Sequence, residues 1–466
     1  MSAAITAGAS GDALSPKRVD AAEIAALKEA RDNSTNIFYL GQVYVIMLGT
    51  IALAACFFTW QQAGGTSFWW NIPVAFAAIL VIGASQHQLG GATHEATHFT
   101  LFRNRLANER VSDWLCMFPL YSTTYQFRLH HLAHHQFVND PDRDPDFTQL
   151  RDSGHDLDFP LPHVEFLKAL ASQLWLLNLV RYTLTRARYN GLGVDHNPYR
   201  DEKLKGSRLP NVAIGLYAVV IPIALGIAKP FVGAWAVVAV LAATGLAIIA
   251  ILARFKEADF PATHIKPVIS HRTTAISRMV YFTLLYSAIG LVEAATPIQA
   301  WNYYLVLWVL PLFTTFAFFM IMRQWVQHGN ADRGRFTNTR TFLVHPVIRY
   351  AVFPFGMDYH LPHHIYAAVP HFKLPALHDL LMKKDAGYAR DGIVVEGYFR
   401  SPAPDRGNPT VLDVLGPDYA RRGDEVFIAS DALDQAEIVD KAHIKAHEEQ
   451  SVKRGMDAPR GAKREA

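Results

Sequence analysis

Residues 128–146 read RLHHLAHHQFVNDPDRDPD, and the histidines in this stretch recur at helical spacing. His131, His134 and His135 stand at positions i, i+3 and i+4, which lie on one face of a helix. His130 points about 100° away from His131 on such a helix. Three imidazoles on one helical face can converge on a single metal ion.

Two more clusters repeat this geometry elsewhere in the chain. HEATH at residues 94–98 places two histidines one helical turn apart, and HLPHH at residues 360–364 repeats the i, i+3, i+4 spacing. A lone histidine is more often a hydrogen-bonded core residue, but crowded neutral imidazoles are costly unless they share a cation. The set predicts a metal centre with more ligands than one ion needs, so two ions are expected. The predicted ligands are His94, His98, His131, His134, His135, His328, His360, His363 and His364.

The histidines alone leave the metal open, because imidazole suits iron, zinc, copper and nickel. H-E-x-x-H is also the motif of zinc proteases. That interpretation offers no obvious third zinc ligand and leaves the other clusters unexplained.

The composition favours a polytopic membrane protein. Of the 466 residues 51% are hydrophobic and 18% are charged, below the roughly 25% charged residues of soluble proteins. A net charge of +3 without a basic, aromatic-interleaved stripe argues against a nucleic-acid partner. The two cysteines, Cys56 and Cys116, provide neither a disulfide framework nor a thiolate metal site.

Six apolar runs predict between four and six membrane-spanning helices, because a span needs about 20 apolar residues and one run is short. The runs cover residues 37–58, 68–90, 212–228, 231–253, 279–292 and 301–322. The loops that follow the second and fourth runs are rich in arginine. The loops at 60–67, 229–230 and 293–300, on the other side of the membrane, hold one lysine and no arginine. By the positive-inside bias, all histidine clusters then emerge on the cytoplasmic side.

The predicted fold is therefore an all-α integral membrane protein whose helices form hairpins beneath a cytoplasmic helical cap that carries the histidines. We divide the chain into a polar N-terminal tail at 1–35, a membrane domain at 36–385 and a polar, mobile C-terminal tail at 386–466. Residues 111–121 are too short to span and are expected at the interface. Residues 163–183 are amphipathic and are expected along the membrane surface.

At these histidines the chain resembles the membrane fatty acid desaturase family, which carries three histidine boxes in this order. The sequences that flank the boxes are also similar to those of the family, namely THEATHFTLFRN at 93–104, MDYHLPHHIYAAVPHFKLPALH at 357–378 and NTRT at 338–341. The resemblance covers roughly residues 37–385. It implies that the nine histidines hold two iron ions, which activate O2 with two electrons and desaturate a fatty-acyl chain.

One departure and one shared feature bear on this resemblance. The family often has a glutamate before the histidine that corresponds to His328, where this chain has Gln327. The spacing of the first box is shared with hydroxylase and ketolase relatives. A hydroxylase or ketolase acting on an acyl, sphingoid or carotenoid chain is therefore the alternative. A membrane metal transporter is a further one, which predicts ligands at mid-membrane depth.

Several polar residues near the boxes are candidates to orient the imidazoles through their second nitrogen. They are Arg128, His130, Asn139, Asp140, Asp144 and Arg340. For at least two of the aspartates at 140, 142, 144 and 146, a solvated acidic turn is the better interpretation. No fused redox domain is visible, so electrons are expected from a separate carrier such as ferredoxin, or cytochrome b5 with its reductase. Membrane lipids are the other expected partners, and the expected location is a bacterial inner membrane or the endoplasmic reticulum.

Overall fold

The computed structural model describes residues 19–191, 197–200, 206–419 and 425–457. Within them the chain is helical, with one pair of short strands. The helices, in chain order, are α1 (Ala21–Lys28), α2 (Thr35–Trp60), α3 (Asn71–Thr97), α4 (Arg105–Ser112), α5 (Thr124–Gln136), α6 (Pro145–Ser153), α7 (His163–Ser172), α8 (Leu176–Gly191), α9 (Leu209–Val232), α10 (Ala234–Leu252), α11 (His271–Ala295), α12 (Ala300–Tyr304), α13 (Leu310–Phe313), α14 (Thr315–His328), α15 (Pro346–Val352), α16 (His360–Ile365), α17 (Leu374–Lys384), α18 (Ala386–Asp391), α19 (Val411–Leu415) and α20 (Lys441–Asp457). The strands are β1 (Thr341–Leu343) and β2 (Val394–Glu396).

Six helical stretches of the described chain are long and apolar enough to cross a membrane. They are Thr35–Gly65, Phe68–Thr97, Leu209–Val232, Ala234–Leu252, His271–Ala295 and Ala300–His328. The last one joins α12, α13 and α14 through a π-helical turn at Leu305–Val309. Five of the six apolar runs lie inside these stretches, and the run at 231–253 begins in the last residues of α9, because the turn between the two helices is at Gly233. The predicted all-α membrane fold is confirmed at the upper end of the expected helix count. The cytoplasmic position of the histidine cap stays a prediction.

Large apolar side chains cover the outer faces of these helices. Phe38, Leu53 and Phe231 are 77%, 75% and 87% exposed in the isolated chain. Such faces are unfavourable in water and suit a hydrocarbon environment, where the backbone polar groups are already paired inside each helix. This is the physical reason why helices with so little buried surface can still be part of a stable fold.

The helix α3 lies at the centre of the histidine-bearing part. It packs against α2, α5, α14 and α15. Gly83 and Gly91 permit close approach, because a Cβ atom at Gly83 would lie 2.8 Å from the backbone nitrogen of Phe316 and one at Gly91 would lie 2.6 Å from Pro354 Cβ. The end of α3 that carries the first histidine cluster is therefore held tightly between its neighbours.

The described part of residues 386–457 packs against the cap. β2 pairs in parallel with β1, with Thr341 opposite Val394. In α20, Ser451 Oγ donates to Asp140 Oδ2 at 2.6 Å, and Arg454 forms an ion pair with Asp142 at 2.7 Å. The division into two tails and a membrane domain stays a prediction, and residues 1–18 lie outside the described part.

Candidate metal centre

The second histidine cluster lies on α5, and local signals set where α5 begins and where the following helix α6 begins and ends. α5 begins after Thr123, whose side chain accepts a hydrogen bond from the backbone N–H of Gln126 at 3.2 Å, as expected of an N-cap. α6 begins after Asp144 with Pro145 in its first turn and ends at Gly154 in the left-handed conformation. The second cluster therefore lies in one unbroken helix, and α6 brings the chain back toward that helix.

The structure brings all nine predicted histidines together in two adjacent groups. In each group, one potential ligand atom per residue lies within 4.8 Å of every other. The five-histidine group consists of His94, His98, His131, His135 and His363. The four-histidine group consists of His134, His328, His360 and His364. The groups adjoin, because the rings of His135 and His364 stack with centroids 4.3 Å apart.

The distances between ring nitrogens fit shared metal ions. His328 Nε2 lies 3.0 Å from His360 Nε2, which lies 3.1 Å from His364 Nε2. In the other group, His135 Nε2 and His363 Nε2 are 3.0 Å apart. Two nitrogens bound at right angles to one ion, at about 2.1 Å each, lie about 3 Å apart. The observed spacing is what adjacent ligands of one ion need.

Several ring nitrogens of the groups are buried without a hydrogen-bond partner among the described residues. Both nitrogens of His94 and of His98 are in this state, as are Nε2 of His131 and Nδ1 of His135. A buried polar atom without a partner costs about 1–3 kcal/mol. A bound cation would satisfy these atoms, so the donor set fits the metal centre that the sequence predicts.

Hydrogen bonds orient two imidazoles of the four-histidine group. His134 Nδ1 lies 2.9 Å from Asp144 Oδ1, and His328 Nδ1 lies 3.1 Å from the carbonyl oxygen of Asn338. In each case Nδ1 carries the proton, which leaves the Nε2 lone pair free for a metal. Asp144 thus has the orienting role predicted for it.

Burial favours neutral imidazoles, the form that binds metal. Burial, with the neighbouring imidazoles, holds the pKa of His98, His131 and His135 well below its usual range. Burial also lowers the pKa of His363 to about 3. Burial acts in the same direction on the pKa of His134, but the carboxylates of Asp144 and Asp146 outweigh it and raise that pKa.

The other aspartates after the second cluster divide into two kinds. Asp146 accepts a hydrogen bond from His130 Nε2 at 2.7 Å, so His130 contacts a carboxylate next to the groups and belongs to neither of them. Asp140 instead binds Ser451 and lies 3.3 Å from Arg333, and its carboxylate contacts no imidazole in the described chain. In the sequence Asp146 is one of a run of alternating aspartates, and its separation of 16 residues from His130 gives no signal of the pairing.

Arg128, Asn139 and Arg340 position the elements that carry histidines. Arg128 donates to the carbonyls of Ala96 and Thr97 at the end of α3 and pairs with Glu109. Arg340 donates to the carbonyls of residues 326, 329 and 330 at the end of α14. Within the described chain neither side chain forms a hydrogen bond to an imidazole, so both support the site through the backbone carbonyls that they bind.

Asn139 links two orienting groups. Its side-chain amide donates to the carbonyl oxygen of Asn338 at 2.9 Å, and its backbone N–H donates to Asp144 Oδ2 at 2.8 Å. Those are the acceptors that hold His328 and His134. Asn139 has φ of 58°, a left-handed conformation that asparagine tolerates better than most residues.

Glu95 and Gln327 lie next to ligands in sequence but are engaged elsewhere. The Glu95 carboxylate accepts from Thr100 Oγ1 and from the backbone N–H of His371, both at 2.9 Å. Gln327 accepts from Arg323 and donates to the carbonyl of Met357. Both bonds of Glu95 are to Oε2, whereas its Oε1 lies 3.6 Å from His94 Nδ1.

A cavity of about 250 Å³ opens beside the five-histidine group. His94 is part of its wall, and most of the rest of the lining is apolar, including Leu305, Leu312, Phe316 and Met320. An apolar cavity that ends at a predicted metal ligand can bind a hydrocarbon chain next to that metal and keep water away from it.

Comparison with known proteins places these features in a family. The family model described as fatty acid desaturase matches residues 71–274 and 251–392, more than half of the chain. A similar protein is dihydrorhizobitoxine desaturase from Bradyrhizobium elkanii, which is 30% identical over 130 residues. That match covers 28% of this chain and 33% of the relative, so it spans only a third of the relative's length.

Proposed function

The chain belongs to the fatty acid desaturase family, and from this we propose that it desaturates a fatty-acyl chain with O2 at two iron ions held by the nine histidines. One observation carries the proposal: His94 is both a member of the five-histidine group and part of the wall of the apolar cavity. A chain bound in the cavity lies against the candidate metal centre.

The reaction needs a redox centre because an unactivated methylene has neither an acidic proton nor a polar group on which a side chain could act as acid, base or nucleophile. When bound, the iron pair supplies the O2 activation needed to break the C–H bonds. Two hydrogen atoms leave adjacent carbons, and O2 with two further electrons and two protons becomes two molecules of water. The oxidised substrate keeps its carbon chain and gains a double bond.

The residues of this chain bind, orient and exclude water. Burial lowers the pKa of His98, His131, His135 and His363 and so keeps these imidazoles neutral and available, whereas Asp144 and Asp146 raise the pKa of His134. Asp144 and the carbonyl of Asn338 hold the Nδ1 protons of His134 and His328, so that Nε2 faces the other ligands. The apolar cavity limits water beside His94 and fixes which carbons lie next to it.

The hydroxylase and ketolase alternative uses the same ligands and is distinguished by its product. A metal transporter is disfavoured, because His94 and His328 lie at the ends of the spans Phe68–Thr97 and Ala300–His328 rather than at mid-membrane depth. We further propose a cytoplasmic site, in a bacterial inner membrane or the endoplasmic reticulum, that receives electrons from a separate carrier such as ferredoxin or cytochrome b5.

The test is lipid and fatty-acid profiling of cells that express the chain with an electron donor, beside measurement of iron in the purified protein. We expect a new product two mass units lighter than its precursor and about two irons per chain. His134→Ala should lose both, whereas His163→Ala, an exposed histidine far along the chain from the boxes, should retain both. A product with added oxygen would instead support the hydroxylase, and unchanged lipids with a working donor would reject the desaturase.

A further inference from the structure

Two buried arginines are part of the wall of the mostly apolar cavity. Arg186 on α8 and Arg323 on α14 are 8% and 6% exposed, and both line the cavity with His94. A buried guanidinium normally has a carboxylate partner, because an uncompensated buried charge costs several kcal/mol. Neither arginine forms an ion pair in the part of the chain that the structure describes.

The contacts of Arg323 are weak for a buried cation. Its NH1 group donates to Gln327 Oε1 at 3.1 Å and lies 3.6 Å from the sulfur of Met357. Its Nε is buried and has no hydrogen-bond partner among the residues that the structure describes. A neutral amide and a thioether do not balance the charge of a guanidinium, so this side chain retains capacity to bind an anion.

Arg186 is in a similar position on the opposite helix. Its NH1 group donates to the amide oxygen of Gln149 at 3.1 Å, and its guanidinium lies 5.8 Å from the centre of the Phe127 ring. Asp146 attracts both arginines only at longer range, and its carboxylate is already bonded to His130 and lies 3.9 Å from His134 Nδ1. Neutral imidazole ligands contribute no negative charge, so bound metal cations would add to the local positive charge.

We propose that Arg323, with Arg186, binds a compact anionic group of the substrate, a carboxylate or a phosphate, inside the cavity. This inference rests on the proposed function and narrows its substrate class. The substrate is an apolar chain with its own buried anionic end, in contrast to an acyl chain whose charged carrier stays outside the cavity.

The position of Arg323 also sets where along the substrate the reaction occurs. Arg323 and the candidate ligand His328 are on the same helix, five residues apart, which is about 7.5 Å along the helix axis at about 1.5 Å per residue. An anion held at Arg323 therefore lies within a few carbon–carbon bonds of the candidate metal centre. The bond that is oxidised should be close to the anionic end of the chain.

The experiment compares probes that share a chain and differ in their end group. The protein, purified with its metal in a nonionic detergent, is titrated with decanoate, decyl phosphate, methyl decanoate and decanol, and binding is followed by calorimetry. We expect at least one anionic probe to bind about tenfold or more tighter than both neutral probes, since a hydrogen bond to a charged group is worth about that factor. The affinities of decanoate and of decyl phosphate, compared with each other, show which anion the site binds.

Variants connect the preference to the cavity. Arg323→Gln and Arg186→Gln should each remove most of the preference for the anionic probe, and Arg323→Lys should restore part of it. Arg188→Gln is the matched control, because Arg188 is on the same helix as Arg186 but is exposed and paired with Asp152. Elution volume and iron content check that each variant is folded.

Equal binding of anionic and neutral probes by the unaltered protein would overturn the inference, whatever the variants do. An anion preference that survives both Arg→Gln changes would overturn it as well. Because binding requires no turnover, either failure leaves the desaturase proposal intact. Conversely, loss of the proposed function would appear as absent iron or an unchanged lipid profile, with the binding preference still measurable.

Discussion

The two histidine groups differ in how their side chains are held. In the four-histidine group, His134 and His328 are oriented by Asp144 and by the carbonyl of Asn338. In the five-histidine group, both nitrogens of His94 and of His98 have no hydrogen-bond partner among the described residues. Two imidazoles of the four-histidine group are thus oriented by hydrogen bonds from the chain, whereas Nδ1 of His360 and of His364, like the nitrogens of His94 and His98, has no such partner among the described residues.

The structure therefore holds histidine in two ways, oriented by a hydrogen bond or buried without a partner in the described part of the chain. An imidazole that is already oriented loses little freedom when it binds a metal. A carboxylate partner, as Asp144 is for His134, also makes the imidazole a more basic metal ligand. Unpartnered buried imidazoles are unfavourable without a cation, so the five-histidine group should be the part of the site that the metal stabilises most. Each of the following predictions tests that difference.

Removal of the metal should have the largest effect. Chelation is expected to abolish product formation and to lower the melting temperature of the detergent-solubilised protein. Loss of a ligand present at about 1,000 times its Kd removes about 4 kcal/mol of stability. The measurement is thermal unfolding before and after chelation, with iron added back as the control. An unchanged melting temperature would mean that the unpartnered imidazoles do not need a cation.

His135→Ala should be the most damaging single substitution, because His135 belongs to the five-histidine group and stacks on His364 of the other. We expect iron to fall to one or fewer per chain, with product formation reduced by more than about 100-fold, above the range for residues that only support ligands. Metal analysis and product quantification measure this. The exposed His163→Ala should leave both unchanged, and normal iron content in His135→Ala would exclude its role as a ligand.

Asp144→Asn should weaken metal binding selectively in the four-histidine group. Asparagine can still cap α6, so the fold is retained while the carboxylate that supports His134 is lost. We expect a decrease in metal affinity of about 10–100-fold, measured by competition with a chelator. Asp142→Asn is the matched control, since Asp142 pairs with Arg454 at the surface. If both variants behave alike, the orienting hydrogen bond is not important.

Asn139→Gly should have the smallest effect. Glycine tolerates φ of 58°, so the change removes the side-chain hydrogen bonds to the carbonyls of Asp332 and Asn338 without backbone strain. We expect a loss of about 1–2 kcal/mol in unfolding free energy and weaker metal retention than in the unaltered chain. Asn139→Ala should be less stable than Asn139→Gly by about 1 kcal/mol, because a Cβ atom is strained in that conformation. Denaturant unfolding measures both, and equal stability of the two variants would contradict the strain argument.

The sequence predicted the membrane fold well because its signals are local. An apolar run of about 20 residues is enough to indicate a span, and each of the six runs corresponds to one helix of that kind, although the boundary predicted at 229–230 lies at Gly233. The histidine spacing likewise identified eight of the nine side chains that the structure collects into two groups, whereas His328 stands outside the three clusters. The metal itself and the liganding role of each histidine stay predictions.

The supporting residues were harder to assign because their partners are remote in sequence. Asp144 was predicted to orient a ligand and does contact His134, whereas Asp140 was grouped with it and instead binds the C-terminal helix α20. Nothing in a run of alternating aspartates distinguishes these cases. The carbonyl of Asn338, which holds His328, has no side-chain signature at all.

Helical periodicity was thus sufficient to find the spans and the histidine faces, since both follow from residues within one or two turns of each other. Tertiary packing alone decided which five and which four imidazoles meet, that His94 also borders the cavity, and that Arg186 and Arg323 face it from two helices. The reason is that the energy of a buried charge or an unpaired nitrogen depends on groups that approach through space. The positions of these groups along the chain do not indicate which of them will meet.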